Sequence, residues 1–112
     1  MRMRLIGLAA FAAALVLLLS GCGSSGSGGT GSALQGPKET VTLYKSHCLS
    51  CHGADLKGRM GPDTDIHDAG SRLAPERIAE QIGSGGSLMP PFKDKLTPEQ
   101  IDSLTRWLKD KK

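Results

Sequence analysis

At 112 residues the chain is long enough for one domain at most. Its 38% hydrophobic content is unevenly placed: 16 apolar residues fall among the first 21, leaving 27 among the 91 from Cys22 onward, about 30%, and only four aromatics occur in all. So lean a composition excludes a large enzyme with a deep water-excluding pocket and a polytopic membrane protein, and the 12 basic against 11 acidic residues after Cys22 argue against nucleic-acid binding.

The front end reads as an export signal. Arg2 and Arg4 form a positive start, and Leu5 to Leu19 then run apolar for 15 residues, broken only by Gly7. That run is short of the roughly 20 residues a helix needs to span a bilayer. It is followed at once by Leu19-Ser20-Gly21-Cys22, which resembles the bacterial lipobox. The resemblance implies cleavage after Gly21, with residues 1–21 a lipoprotein signal peptide and Cys22 carrying a diacylglyceryl group and, on its new amino terminus, an acyl chain such as palmitate. Two or three acyl chains give stable attachment where one is marginal. An uncleaved anchor and a plain secreted protein are the alternatives.

From Gly23 to Gly36 the chain is almost entirely Gly, Ser and Thr, interrupted by Ala33, Leu34 and Gln35. Residues 22–36 are therefore expected to be a lipidated cysteine and a flexible tether, with a mean reach of roughly 20 Å. The folded domain is placed at 37–112.

Within it Val41, Tyr44 and Cys48 fall on one helical face and lead into Cys48-Leu49-Ser50-Cys51-His52. Two thiols three apart, followed directly by histidine, suit the attachment of one haem c: the thiols add to its two vinyl groups and the imidazole meets the iron from the same side. A zinc site needs a second ligand pair that the downstream sequence lacks, since His67 stands alone there. A thioredoxin-like redox pair needs alternating strands, and a disulfide between Cys48 and Cys51 would close only a tiny loop. Asp63, Asp65 and Asp68 read as solvated turn residues rather than a cation site, and Asp63 to Gly70 as a loop.

Pro75 opens a middle helix with Ile78, Ala79 and Ile82 on one face, ended by Gly83, and Gly83 to Gly86 read as a loop. Thr97-Pro98-Glu99-Gln100 is a stronger start: a capping threonine, proline at the first helical position and glutamine three after the cap. Ile101, Leu104 and Leu108 then form a buried stripe with Trp107 beside it. No strand-like alternation occurs, so the fold is expected to be all-α.

A haem bound through His52 needs a partner on its other face, and the candidates are Met60, Met89, His47 and His67. Met89 is the best placed, 37 residues downstream and ahead of the stiff Pro90-Pro91 pair. Met60 lies in the loop expected on the His52 side, and His47 adjoins a thioether cysteine. Met60, His67 and an open sixth position remain as alternatives.

Tyr44-x-x-x-Cys48-x-x-Cys51-His52-Gly53, then Gly61-Pro62, Leu88-Met89-Pro90-x-Phe92 and a terminal helix bearing Trp107 resemble the small class I cytochromes c. With the lipobox and tether, the chain is similar to the monohaem lipoprotein cytochromes of Gram-positive bacteria. The resemblance implies helices packed around one covalent haem, with the first and last crossing near Tyr44 and Trp107. It implies His52 and Met89 as axial iron ligands, the Pro62 carbonyl accepting the free imidazole N–H, and Phe92 over the haem edge. Trp107 is expected either to reach a haem propionate or to pack within its helix. A His/Met pair leaves no substrate position, so the expected function is one-electron transfer by a lipid-anchored monomer on the extracytoplasmic face of the cell membrane. The resemblance implies a quinol-cytochrome c reductase and a terminal oxidase as partners. Lys57, Arg59, Lys93 and Lys95 suit either plain solubility or the steering of acidic partners. An open-site haem enzyme or sensor and a zinc-binding lipoprotein are the alternative readings.

Overall fold

A computed structural model describes residues 33–112; the leader, Cys22 and most of the tether lie outside the described residues. Five helices follow in order: α1 Lys38–His47, α2 Leu49–His52, α3 Ala69–Arg72, α4 Pro75–Ser84 and α5 Pro98–Lys109, with a 3-10 turn at Pro62–Thr64. Among the described residues there is no strand.

α1 starts behind Pro37, whose carbonyl accepts from Val41 N (3.0 Å). It breaks at Cys48, where φ is −121°, although the Cys48 N–H still reaches the Tyr44 carbonyl. α2 resumes at once, so the two helices form one kinked rod that sets residues 48–52 over a single turn. α5 carries the full capping box: Gln100 N donates to Thr97 Oγ1 (3.2 Å) and Thr97 N to Gln100 Oε1 (2.9 Å). Pro75 does open α4, but Gly83 lies inside the helix. The stop is Gly85, whose φ of +69° a side chain rarely adopts.

The core is small: Tyr44, Leu56, Ile78, Ile82, Phe92, Leu96, Leu104, Trp107 and Leu108, drawn from α1, α4, α5 and the loops between. Tyr44 and Trp107 meet with ring centroids 5.2 Å apart at 58°, a tilted pair that fixes α1 against α5. Trp107 is buried at the flank of the Leu104–Leu108 stripe, where α5 meets α1, and Ile101 is only half-buried. α3 is held to the C-terminus through Gly70 N, which donates to the Lys111 carbonyl (2.9 Å).

The tether boundary moves. Ala33 and Leu34 pack against the core, and the Gln35 carbonyl accepts from Trp107 Nε1 (2.7 Å). Lys111 Nζ donates to the Ala33 carbonyl (2.8 Å) and lies 4.3 Å from the Trp107 ring centroid. Its partial burial pulls its pKa below the ordinary lysine value. The three residues that interrupted the Gly/Ser run therefore belong to the folded body, and the indole N–H is committed to Gln35 and to no propionate.

Candidate haem site

Cys48, Cys51 and His52 fall within one turn of the kinked α1–α2 rod, with His52 N bonded to the Cys48 carbonyl (3.0 Å). Both cysteines are half-buried free thiols. Burial, with a smaller contribution from Cys51, pushes the Cys48 thiol up to about 11. An apolar setting of this kind suits a thioether better than a thiolate ligand. Tyr44, fully buried, donates its hydroxyl to the Gly53 carbonyl (2.6 Å) just beyond the motif. Burial raises its pKa well above the ordinary phenol value.

The loop from Gly53 to Thr64 folds back under His52. Gly58 N donates to the His52 carbonyl and Arg59 N to the Cys51 carbonyl, both at 2.8 Å. Leu56 sits at φ +63° with 1% exposure. The left-handed conformation costs roughly 1–2 kcal/mol, and burying the side chain returns about as much or more. His52 Nδ1 then meets the Thr64 carbonyl at 2.7 Å. This corrects the expectation for Pro62, whose carbonyl instead accepts from Asp65 N (3.1 Å) to close the 3-10 turn. That turn advances the chain by two residues and presents Thr64 in its place. Thr64 is itself pinned: its hydroxyl donates to the Gly61 carbonyl (2.7 Å) and accepts from Met60 N (3.2 Å). With Nδ1 engaged as a donor, Nε2 is the imidazole nitrogen left for a metal.

Met89 arrives from the other half of the chain, half-buried and packed against the same core as Cys48 and Leu49. Its carbonyl accepts from Gly86 N (2.8 Å), and Phe92 N reaches the Ile82 carbonyl (3.0 Å), so the 85–92 segment is a tight return from α4. Phe92 is buried, edge-on to His47 with centroids 5.8 Å apart. Met60 is 61% exposed and belongs to the loop that holds Thr64. His67 is tied to Asp65 through Nδ1 (2.6 Å).

Asp65, His67 and Asp68 do cluster, with possible ligand atoms within 4.8 Å of one another. Both carboxylates are already engaged, Asp68 by Arg72 Nε (2.7 Å) and Asp65 by His67 Nδ1 (2.6 Å), while Arg72 Nη2 donates to the Asp65 backbone carbonyl (2.9 Å). The hydrogen bond from His67 holds the Asp65 carboxyl below its ordinary range, and that from Arg72 does the same for Asp68.

Two free thiols and an oriented imidazole on one turn, with a thioether from a second segment on the same core, are a donor set that fits haem c. The family model described as cytochrome c oxidase, cbb3-type, subunit III, matches residues 35–108. The chain belongs to the cytochrome c family. This cytochrome is 32% identical to cytochrome c-551 of Bacillus subtilis (strain 168) over 104 residues, 88% of this chain and 89% of that protein. It is 36% identical to the dihydro-heme d1 dehydrogenase of Pseudomonas aeruginosa, but spans only 19% of that longer protein. Among solved structures it resembles the KustC0563 c-type cytochrome, with a TM-score of 0.56 and 36% identity over 63% of this chain and 94% of that one. The protein is a helical haem c electron carrier of the cytochrome c class; some relatives are enzymes in which such a domain is one part.

Proposed function

We propose that this cytochrome is a lipid-anchored monohaem carrier that passes single electrons on the extracytoplasmic face of the cell membrane, from a quinol-oxidising complex to a terminal oxidase. Cys48 and Cys51 form the two thioethers, His52 and Met89 supply the axial pair, and Cys22 carries the lipid. The observation that carries the reading is the 2.7 Å bond from His52 Nδ1 to the Thr64 carbonyl beside two free half-buried thiols, which leaves Nε2 as the ligand nitrogen. When bound, the haem supplies the one-electron chemistry; the protein supplies a fixed imidazole, a thioether and an apolar wall.

A thioether favours reduced iron and raises the potential relative to a second imidazole. Tyr44, Leu56, Ile78, Ile82 and Phe92 are buried together in the core and supply that wall. The likeness to the Bacillus cytochrome spans 88% of the chain, more than the described residues alone, and so reaches into the leader and tether. Among the described residues no helix is long and apolar enough to cross a membrane.

The test is mass analysis of membrane-extracted protein from a host that exports it and attaches haem, with an alkaline pyridine spectrum of the same sample. One haem per chain and acyl chains on a polypeptide beginning at Cys22 are expected. A c-type haem on a chain without acyl groups would remove the anchor and leave the carrier. No c-type haem would remove both.

A further inference from the structure

We propose that the Gln81 side-chain amide holds and tunes the sulfur of Met89, acting as a positioning residue for the iron ligand; this rests on the reading of Met89 as the axial thioether. Gln81 Nε2 lies 3.8 Å from Met89 Sδ. A thioether sulfur accepts and cannot donate, so the NH₂ end of the amide is the end that faces it.

The local backbone brings the two together. Gln81 is on the last turn of α4, and its own carbonyl accepts from Gly85 N (2.9 Å), ending the helix. The chain reverses at Gly85 and closes through Gly86 N to the Met89 carbonyl (2.8 Å), which returns Met89 to the side of Gln81. Gly86 leaves room for the amide: a Cβ there would stand 2.9 Å from Gln81 Nε2. The φ of Gly86 is not in the left-handed region, so a Cβ there would act on the amide alone, pushing the flexible end of Gln81 aside.

Two consequences follow from the chemistry. Methionine has three rotatable bonds, and a donor at its sulfur restricts which lone pair turns toward the iron. The positive end of the N–H dipole also withdraws electron density that the sulfur would otherwise give, a loss that ferric iron feels more than ferrous. Gln81 therefore raises the reduction potential and slows displacement of Met89. Gln81 is exposed, so the bond competes with water and its effect is that of one modest hydrogen bond.

The test uses the full haem-loaded protein and reads midpoint potential, the near-infrared thioether-to-ferric band, and affinity of the oxidised protein for free imidazole. Gln81→Leu, which removes the donor, is expected to keep the band, lower the potential and tighten imidazole binding about three- to tenfold. Gln81→Glu is expected to lower the potential further at neutral pH, where a carboxylate faces the sulfur, and to recover it as the pH falls and the acid O–H can donate. Gly86→Ala, which crowds the amide, should shift the potential in the same direction as Gln81→Leu by a smaller amount. An unchanged potential and imidazole affinity in Gln81→Leu, with the band present, overturns the role of Gln81 and leaves Met89 as ligand. Absence of the band from the unsubstituted protein overturns the axial reading and this one with it.

Discussion

The two segments proposed to carry the iron ligands, around His52 and around Met89, are held in different ways. On the His52 side, six hydrogen bonds converge between residues 44 and 64: Tyr44 to Gly53, Gly58 to His52, Arg59 to Cys51, Thr64 to Gly61, Met60 to Thr64, and His52 to Thr64. On the Met89 side, the return from α4 is closed by Gly85 to Gln81, Gly86 to Met89, Phe92 to Ile82 and Lys93 to Gly83, all between backbone groups, and the sulfur itself has the long contact to Gln81. The imidazole is preorganised by the polypeptide, next to cysteines that covalent attachment would fix permanently. The thioether is presented on a loop held by backbone bonds, where the side-chain contact to Gln81 can adjust it. Ligand positions need not be equally rigid for a one-electron site to keep its geometry.

The largest effect should come from erasing what both sides share. Cys48→Ala/Cys51→Ala removes the covalent attachment from a domain whose core cluster, among the described residues, is small. This protein lacking haem is expected to show no cooperative helical melt by circular dichroism. A sharp transition would show that the polypeptide supplies enough core on its own.

Breaking one side at a time comes next. Gly58 has φ +83°, and a Cβ there would stand 2.9 Å from the Thr64 carbonyl carbon and press on its hydroxyl. Gly58→Ala should cost about 3 kcal/mol in a denaturant titration, from left-handed strain together with a weakened His52–Thr64 bond. Gly85→Ala strikes the other side: φ is +69° and a Cβ would meet Pro91 N at 2.7 Å and Pro90 C at 2.8 Å. It should retain haem yet lose the thioether band. If Gly58→Ala instead removed the band and Gly85→Ala did not, the contrast between the two sides would be reversed.

Tyr44→Phe is a smaller cut. It leaves the buried Gly53 carbonyl without its donor and should destabilise by about 1–3 kcal/mol. The smallest effect is expected at the exposed Asp65–Asp68 turn. Both carboxyls have folded pKa values below their unfolded ones, so their contribution is present above the ordinary carboxylate range and is lost as pH falls through the lowered folded values. Melts from neutral to acid pH should show a slightly flatter acid limb in Asp68→Asn, with the ligand bands unchanged.

Much of this was legible in the chain because some residue types have few uses. The Cys48-to-His52 motif and the Thr97-to-Gln100 cap are examples: each joins side chains with specific chemistry at a fixed spacing. Backbone acceptors carry no such mark, since every residue has a carbonyl. The replacement of Pro62 by Thr64 depends on a 3-10 turn that shifts the chain by two residues. The choice of Gly85 over Gly83 as the end of α4 depends on which of three nearby glycines takes a positive φ. The docking of Ala33 to Gln35 on Trp107 and Lys111 joins residues more than seventy positions apart. Its only trace was three non-glycine, non-serine residues at the end of a Gly/Ser run. Gln81 gave no signal either, because an exposed glutamine on a helix is ordinary until the loop after it brings a sulfur alongside.

The account rests on His52 and Met89 forming the axial pair, one fixed and one tuned. The most direct measurement is the near-infrared spectrum of oxidised Met89→Ala beside that of the unsubstituted protein, each with haem attached. The band should be present in the unsubstituted protein and absent from Met89→Ala, which should retain its haem through Cys48 and Cys51. A band that persists in Met89→Ala would contradict the assignment and point to Met60.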